Sequence, residues 1–431
     1  MTYPEYESYR PTDEAWIAYI PSHWSVTAFR RCCTIQEGQV DPTSDDQMDS
    51  FLIAPNHIEA HTGRLMELER TSTQSAISGK YQCRAGDVVY SKIRPSLNKV
   101  CITPIDCLCS ADMYAIRARP GMTNEFTFWW LLSSPVVDQI VFASERVAMP
   151  KVNRDALNEI PVIVPPFDEQ RSIAAFLERE TAKIDALVAE QERLITLLRE
   201  KRRAVVSHAV TKGLNPHAPM KGSGVEWLGY VPAHWKMQRL TEISSFIPGK
   251  AHEPYLDDDG PFVYVSSRFV STSGASRKFC TQNLTPACFG DSLLVMSDLP
   301  NGRALAKCFF VADDSPYAVN QRVCILRPTG VVPKYLAYLV DRTPELLQHD
   351  DGMNQTHLSN ADILKPRFPI PPHAEQLRTV EFLDAQLSTI DQLVEQANIL
   401  NQVVLERRSA LITAAVTGQL DVRHLATADA T

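Results

Sequence analysis

Two stretches of the chain carry apolar residues at every seventh position, which is the pattern of a coiled coil. The first stretch has Leu177, Ile184, Gln191, Leu198 and Val205, with Ile173, Leu187 and Leu194 at the intervening places. The second has Leu383, Ile390, Ala397, Val404 and Leu411, with Leu393 and Leu400 between them. The repeats predict two helices of about 40 residues, each about 60 Å long. We expect these helices to pack antiparallel against each other.

The rest of the chain predicts mixed α/β structure. Four β-rich runs, bounded by Gly, Pro and Asp, lie at residues 87–93, 262–267, 292–297 and 322–327. Residues 126–132 and 334–340 predict short buried helices. A proline pair precedes each long helix, and Gly213 and Gly418 follow, which suits helix starts and stops. The predicted fold class is mixed, α/β (α+β), with two mixed α/β domains separated by two long antiparallel coiled-coil helices.

Two motifs occur twice, which indicates an internal repeat. The pattern WxxY[IV]PxHW occupies residues 16–24 and again 227–235. The pattern PPxxEQ occupies residues 165–170 and again 371–376, and matching positions continue into both helices. The chain therefore predicts two halves of one plan, each a variable globular segment followed by a long helix, related by a pseudo-twofold axis.

Composition narrows the class of protein. Of 431 residues, 44% are hydrophobic and 22% are charged, which excludes wholesale disorder. We expect no membrane span and no export signal, and therefore a cytoplasmic location. Ten cysteines without a CxxC pair favour free buried thiols. The net charge of −8 argues against an independently strong DNA binder, but it leaves room for local basic patches.

Several catalytic signatures are missing from the sequence. It contains no GxxxxGK[ST] phosphate loop and no GxGxxG cofactor fingerprint. Val164 and Ile370 stand where an amino-methyltransferase loop needs an amide or a carboxylate before its two prolines. His23 and His234 have no nucleophile or carboxylate at a repeat-consistent position, so a structural hydrogen bond is the favoured interpretation. We predict no catalytic residue, no cofactor and no metal site.

Polar and basic residues suited to DNA contact occur in loops of both halves. In the first half these are Asn56, His57, Arg84, Ser91, Lys92, Arg94, Asn98 and Lys99. In the second half they are Ser267, Arg268, Asn301, Arg303 and Lys307. Such side chains reach phosphates and the edges of guanine and adenine, although a merely solvated loop is the alternative. Asn56 and His57 stand at the positions of the repeat that are equivalent to Ser267 and Arg268. Different polar side chains at equivalent positions are what two readers of different sequences would show.

These motifs, with the Gly86-Asp87 and Gly290-Asp291 strand starts, resemble the specificity subunit of Type I restriction–modification enzymes. The resemblance implies two target-recognition domains, each reading one half of a bipartite double-stranded DNA site, and paired helices that act as a spacer. It also implies two docked methyltransferase subunits that methylate adenine, further motor–nuclease subunits, and no catalysis by this chain itself. The alternative is a coiled-coil scaffold that does not bind DNA.

The resemblance also implies a division of the chain and a set of partner-binding residues. The expected segments are an N-terminal arm (1–20), a first recognition domain (21–164), a central conserved helix (165–215), a second recognition domain (216–370), a distal conserved helix (371–421) and a tail (422–431). The expected partner contacts are Glu169, Gln170, Phe176, Glu375, Gln376 and Phe382.

Overall fold

The computed structural model describes residues 4–74, 77–144, 150–298, 304–347 and 356–425. It divides into two compact units, of which the first is Met1–Glu192 with Asn398–Thr431 and the second is Arg193–Ala397. Two long helices, Phe167–Lys212 and His373–Val416, each contribute a part to both units. We call them the first and the second long helix. The six-segment division expected from the sequence stays a prediction.

The first unit contains a four-stranded antiparallel sheet and a five-stranded mixed sheet. The four-stranded sheet has the order Val100–Ile102, Val88–Ser91, Met113–Ala118, Cys33–Ile35. The five-stranded sheet has the order Gln39–Val40, Lys80–Cys83, Cys107–Cys109, Phe51–Ile53, Glu69–Arg70. Two ribbons pair Tyr9–Pro11 with Tyr19–Pro21 and Ser25–Ala28 with Pro161–Val164. The short helices are Phe29–Cys32, Pro55–His57, Pro95–Leu97, Asn124–Leu132, Ser134–Ser144 and Arg154–Glu159.

The second unit contains two four-stranded sheets. The antiparallel one has the order Ser244–Pro248, Val323–Pro328, Ser292–Val295, Cys308–Phe310. The mixed one has the order Phe279–Cys280, Phe262–Val265, Tyr317–Val319, Pro286–Ala287. Three ribbons pair Met220–Gly222 with Tyr230–Pro232, Lys236–Arg239 with Arg367–Ile370, and Ser297–Asp298 with Thr356–His357. The short helices are Leu240–Ile243, Glu253–Tyr255, Ser267–Ser271, Pro333–Val340, Pro344–Leu347 and Asn360–Leu364.

The two units share one strand plan, which confirms the predicted internal repeat of mixed α/β domains. In each antiparallel sheet, the six-residue strand lies between the strand that follows a Gly-Asp pair and the strand after the first short helix. In each mixed sheet a parallel pairing joins an early strand to a late one: Phe51–Ile53 to Cys107–Cys109, and Phe262–Val265 to Tyr317–Val319. The four predicted β-rich runs and the two predicted short buried helices are also confirmed.

The long helices run antiparallel within each unit. In the first unit Asp185 pairs with Arg408, while Leu177, earlier on its helix, shares a core with Ala415, later on its own. In the second unit Arg202 pairs with Asp391, while Val210 shares a core with Leu383. As the residue number rises on one helix, the number of its neighbour falls on the other, as antiparallel packing requires. Gly213 and Gly418, both at positive φ, follow the two helix ends as predicted.

The contact seam of these helices differs in part from the predicted one. The buried and half-buried positions are Leu177, Thr181, Ile184, Val188, Gln191, Ile195, Leu198 and Arg202, then Leu383, Leu387, Ile390, Val394, Ala397, Asn401, Val404 and Arg408. Leu187, Leu194, Leu393 and Leu400, predicted at intervening seam places, are exposed, so that prediction was wrong. After Ile184 and Gln191, apolar side chains stand both three positions on, at Leu187 and Leu194, and four positions on, at Val188 and Ile195. Only packing selects the set four positions on, which includes polar residues.

Local signals explain where the short buried helices begin. Thr123 precedes Asn124–Leu132, and its hydroxyl accepts a hydrogen bond from the main-chain N–H of Phe126. Seven of the nine residues in this helix are buried. Among the described residues, no single helix is long and apolar enough to cross a membrane, and only the pair Asn124–Leu132 and Ser134–Ser144, bent by 71°, meets that test together.

Candidate nucleic-acid interface

The loop that links Val88–Ser91 to Val100–Ile102 carries most of the predicted first-half residues. Ser91 is buried, and its hydroxyl donates to the carbonyl of Ile93 at 3.0 Å. Lys92 is half-buried, with its ammonium 5.6 Å from the centre of the Tyr114 ring. Arg94 is exposed and has a φ of 47°, a left-handed conformation that is costly for a residue with a Cβ. The loop therefore presents Arg94 to solvent while it anchors the residues on either side.

The end of this loop reaches a second predicted cluster. The Lys99 ammonium donates to the carbonyl of Pro55 at 2.6 Å, which joins the loop to the turn Pro55–His57. On that turn Asn56 is exposed, whereas His57 is buried and hydrogen-bonded at both ring nitrogens, to Ala54 and to Gln74. The structure thus brings Asn56 close to the loop of Arg94.

Asn98 and Arg84 occupy different environments. Asn98 is 1% exposed at a φ of 39°, and its amide oxygen has no hydrogen-bond partner among the described residues. Arg84 is exposed on the turn before Val88–Ser91. Of the eight predicted residues, Asn56, Arg84 and Arg94 are therefore the ones whose exposed side chains can meet a ligand directly. The role of all eight residues in DNA contact stays a prediction.

The second unit repeats the arrangement with other side chains. The Lys307 ammonium donates to the carbonyl of Ser271 at 2.7 Å, at the end of the helix Ser267–Ser271. Arg268 is exposed on this helix and Ser267 is half-buried. Lys307 corresponds to Lys99, because each lysine directly precedes an equivalent strand of the antiparallel sheet. In both, the main-chain carbonyl of the lysine accepts a hydrogen bond from the neighbouring strand, from the N–H of Val295 for Lys307 and from that of Ser91 for Lys99. Asn301 and Arg303 lie outside the described residues.

An ion pair that sequence analysis missed holds the same turn in both units. Arg117 donates to both carboxylate oxygens of Asp87, at 2.8 and 2.6 Å, and Arg327 donates likewise to Asp291, at 2.9 and 2.8 Å. Both carboxylates are buried, and their hydrogen bonds raise the pKa of the two arginines. The recurring Gly-Asp pair was the available signal. This bidentate pairing fixes the start of the strand that leads to the exposed loop.

The two repeated motifs meet at a glutamate. Glu169 accepts hydrogen bonds from His23 at 2.7 Å, Trp24 at 2.9 Å and Tyr6 at 3.1 Å. Glu375 holds the equivalent His234 at 2.9 Å. The structural hydrogen bond predicted for the two histidines is confirmed. The premise that no carboxylate stands at a repeat-consistent position was wrong, because Glu169 and Glu375 occupy the same place in the two copies of PPxxEQ. The WxxYxPxHW and PPxxEQ motifs thus connect the start of each globular segment to the start of the long helix that follows it.

The glutamine of PPxxEQ positions the short buried helix. The amide oxygen of Gln170 accepts from the main-chain N–H of Thr123 at 2.9 Å, and Gln376 accepts from Val332 at 2.8 Å. Thr123 and Val332 are the residues at which Asn124–Leu132 and Pro333–Val340 begin. Phe176 is also buried, whereas Phe382 is exposed. Among the six residues expected to bind a partner, the two glutamates, the two glutamines and Phe176 serve contacts within the chain, and docking stays a prediction.

Arg408 connects the turn at His61 and Thr62 to the second long helix. Its guanidinium, 5% exposed, donates to Asp185 at 2.8 Å and to the carbonyls of Thr62 at 2.8 Å and His61 at 3.4 Å. The local sequence gives no signal for these contacts, because a cation near a helix C-terminus is also favoured by the helix dipole.

Comparison with known proteins shows which family has this architecture. The sequence model of the "Type I restriction modification DNA specificity domain" matches residues 64–196 and 232–403, well over half of the chain. The chain belongs to this DNA specificity family. The match occurs twice, as the repeated strand plan requires, and it favours DNA recognition over a scaffold that does not bind DNA.

Similar proteins support the same family. The chain is 32% identical over 190 residues to the type I restriction enzyme EcoDI specificity subunit of Escherichia coli, a match that covers 44% of this chain and 42% of that subunit. It is 22% identical over 301 residues to the MjaVIII specificity subunit of Methanocaldococcus jannaschii, covering 65% and 67%. A solved structure on complex assembly and conformational transition of the type I R-M system shares the fold, with a TM-score of 0.74, 20% identity and 93% and 99% coverage.

Proposed function

We propose that this chain is the DNA-sequence-specificity subunit of a type I restriction–modification complex. Each recognition segment reads one half of a bipartite double-stranded DNA site, and the paired helices set the spacer between the halves. The observation that carries the proposal is the repeat itself. Equivalent loops, anchored by Lys99 and Lys307, expose different side chains, Asn56 in one unit and Arg268 in the other. Two readers of two different half-sites need this combination of a shared frame and different contacts.

The chemistry belongs to partners in this proposal. The subunit is not catalytic, and it acts in the cytoplasm, where it directs adenine methylation by methyltransferase subunits and restriction by motor–nuclease subunits. The titratable groups that the motifs bring together, such as Glu169 with His23, serve contacts between elements of the chain. A chain that gains affinity from partner subunits also need not be basic, which fits the net charge of −8.

Exchange of one recognition segment tests this proposal. We would replace residues 21–164 with the corresponding segment of another specificity subunit, co-express the chain with its methyltransferase, and sequence the methylome. The expected result is a bipartite adenine-methylated site in which one half changes and the other half is retained. An unchanged methylated site would contradict the proposal, and so would loss of pattern in both halves while the complex stays assembled.

Docking of two methyltransferase subunits follows from a duplicated apolar surface. Outside the seam, three pairs of repeat-equivalent side chains are exposed to the same extent. They are Leu187 and Leu393 at 44% and 46%, Leu194 and Leu400 at 43% and 42%, and Leu197 and Val403 at 53% and 54%. Apolar side chains that recur in water-exposed positions are typical of an interaction surface. Two copies of one surface fit two copies of one partner.

Paired substitutions test the stoichiometry. We expect L194Q/L197Q and L400Q/V403Q each to remove one methyltransferase subunit from the complex, because each pair of substitutions removes apolar surface from one copy only. The variant that combines all four substitutions should lose both subunits. Native mass spectrometry of the co-expressed complex measures the number of bound subunits. A matched control, E200Q, changes an exposed residue of the same helix and leaves the apolar surface intact. Two retained subunits in every variant would contradict this docking surface.

A further inference from the structure

Both units have a cavity at the same place in the repeat. In each, a tryptophan of the WxxY motif and a proline at the start of a short helix face the last third of a long helix. In the first unit these are Trp16 and Pro135 with Ala410, and the cavity that they line has a volume of about 750 Å³. In the second they are Trp227 and Pro344 with Ala204, around about 1090 Å³. The duplication has therefore produced two versions of one cavity.

The two cavities differ in charge. The described residues that line the first include Asp138 and Glu406 and no lysine or arginine. The second is lined by five cationic side chains and two carboxylates. The cations are Arg199, Arg202, Arg203, Lys307 and Arg342, and the carboxylates are Asp341 and Asp391. At the first-unit positions equivalent to Arg199 and Arg203 the chain has Leu405 and Ser409. At these two positions, therefore, only the second copy carries positive charge.

Among the residues that the structure describes, the two lining carboxylates balance only part of this charge. Asp391 is engaged by Arg202 at 3.0 Å, and Asp341 accepts from the main-chain N–H of Cys308 at 2.9 Å. The Nε of Arg342 is buried without a hydrogen-bond partner in the described part of the chain, on a residue whose φ is 51°. Burial lowers the pKa of Lys307, the Asp341 carboxylate opposes this effect, and the nearby Arg342 and Arg202 lower the pKa by smaller amounts.

We propose that the cavity of the second unit binds a nucleotide phosphate through Arg199, Arg203 and Arg342. A guanidinium group can donate two parallel hydrogen bonds to the oxygens of a phosphate. Three guanidinium groups around one opening therefore form a site at which a phosphate would supply the negative charge that balances them. The apolar wall of Val206, Val210 and Leu339 lies beside them, which suits the base or sugar of a nucleotide better than an inorganic anion alone. The phosphate comes either from a free nucleotide or from the backbone of a nucleic-acid strand.

Substitutions taken from the other copy of the repeat provide the test. In the full-length chain we would introduce R203S and R199L, singly and together, since these side chains stand at the equivalent first-unit positions. The control is R378S, which changes an exposed arginine of the second unit outside the cavity. Calorimetry with ATP and with inorganic triphosphate measures the free-nucleotide arm. Binding of a duplex without any recognition site, at several salt concentrations, measures the strand arm.

We expect the double variant to weaken binding in at least one arm by ten-fold or more, and R378S to leave both arms unchanged. If a free nucleotide is the ligand, ATP affinity falls and duplex binding stays the same. If a strand backbone is the ligand, duplex affinity falls and its logarithmic salt slope decreases by about one for each phosphate that is no longer neutralised. Equal affinities of the double variant and the unmodified chain in both arms would overturn the proposal.

Two features keep this outcome separate from that of the proposed function. The single variant R203S changes one exposed side chain, and its thermal unfolding against the unmodified chain shows whether the fold is intact. Neither arm uses the target sequence or a methyltransferase. The cavity proposal therefore fails or succeeds independently of sequence-specific recognition.

Discussion

At the scale of single residues, the motifs of this chain act by holding its elements together. Glu169 and Glu375 receive the histidines of WxxYxPxHW, and the adjacent glutamines hold the first turns of the short buried helices. Each of these polar side chains lies at a fixed place in a motif. A repeated motif can therefore mark a joint within the fold as readily as a surface for a partner.

Gly418 supplies a residue-scale prediction. It lies at a φ of 75°, and a Cβ there would approach Pro21 to 2.4 Å and Trp24 to 2.9 Å. We expect G418A to lower the free energy of unfolding by about 2–4 kcal/mol, from left-handed strain plus overpacking. Gly330 is the matched control, since its φ is 72° and nothing lies within 4 Å of its Cβ position. G330A should cost only about 1–2 kcal/mol. Urea unfolding followed by circular dichroism measures both, and equal destabilisation would show that the approach to Pro21 and Trp24 is not limiting.

At the scale of elements, the two long helices combine two surfaces in one sequence pattern. One surface is the narrow seam that each helix shares with the other within a unit. The second is the exposed apolar surface of Leu194, Leu400 and their neighbours. Since both series repeat every seven residues, the sequence shows them as one broad stripe. The seam itself includes Thr181 and Asn401, which a search for apolar residues passes over.

Two neighbouring positions on the second long helix distinguish these surfaces. Val404 is 9% exposed in the seam, and Leu400 is 42% exposed outside it. We expect V404A to cost about 2 kcal/mol of unfolding free energy, because buried methyl groups are removed, and L400A to cost less than about 0.5 kcal/mol. The midpoint of urea unfolding checks both variants. A larger destabilisation by L400A than by V404A would mean that the seam is placed wrongly.

At the scale of the whole molecule, duplication has kept the frame and changed the contacts. The Asp87–Arg117 and Asp291–Arg327 pairs, the anchoring lysines and the strand order of the antiparallel sheet are the same in both units. The exposed side chains differ, and so do the charges of the two equivalent cavities. A duplicated chain of this kind can change what one half binds without disturbing the other half.

Independent change of the two halves is testable with single arginines. Arg94 is exposed in the first unit and Arg268 in the second. We expect R94A to relax the first half of the methylated site and R268A to relax the second, each by about 1–3 kcal/mol of discrimination if the arginine reads a base. Binding to duplexes that vary one half-site at a time measures the effect. Either variant weakening both halves equally would point to phosphate contact without base reading.

The sequence alone was sufficient for the features that depend on period and repetition. Heptads, β-rich runs, proline pairs and terminal glycines act locally, so the two long helices, the mixed α/β segments and the two-fold repeat could be predicted. Gly86-Asp87 and its copy were visible as a recurring pair, although their arginine partners were not.

Tertiary structure decided which of these residues are buried and what they contact. Lys99 and Lys307 look like free cations in the sequence, but each reaches a main-chain carbonyl more than 35 residues away. Leu187 and Val188 are equally apolar neighbours, yet one is exposed and the other lies in the seam. The physical reason is that periodicity fixes which face of a helix a residue occupies, whereas burial depends on the element that packs against that face. That element comes from a distant part of the chain.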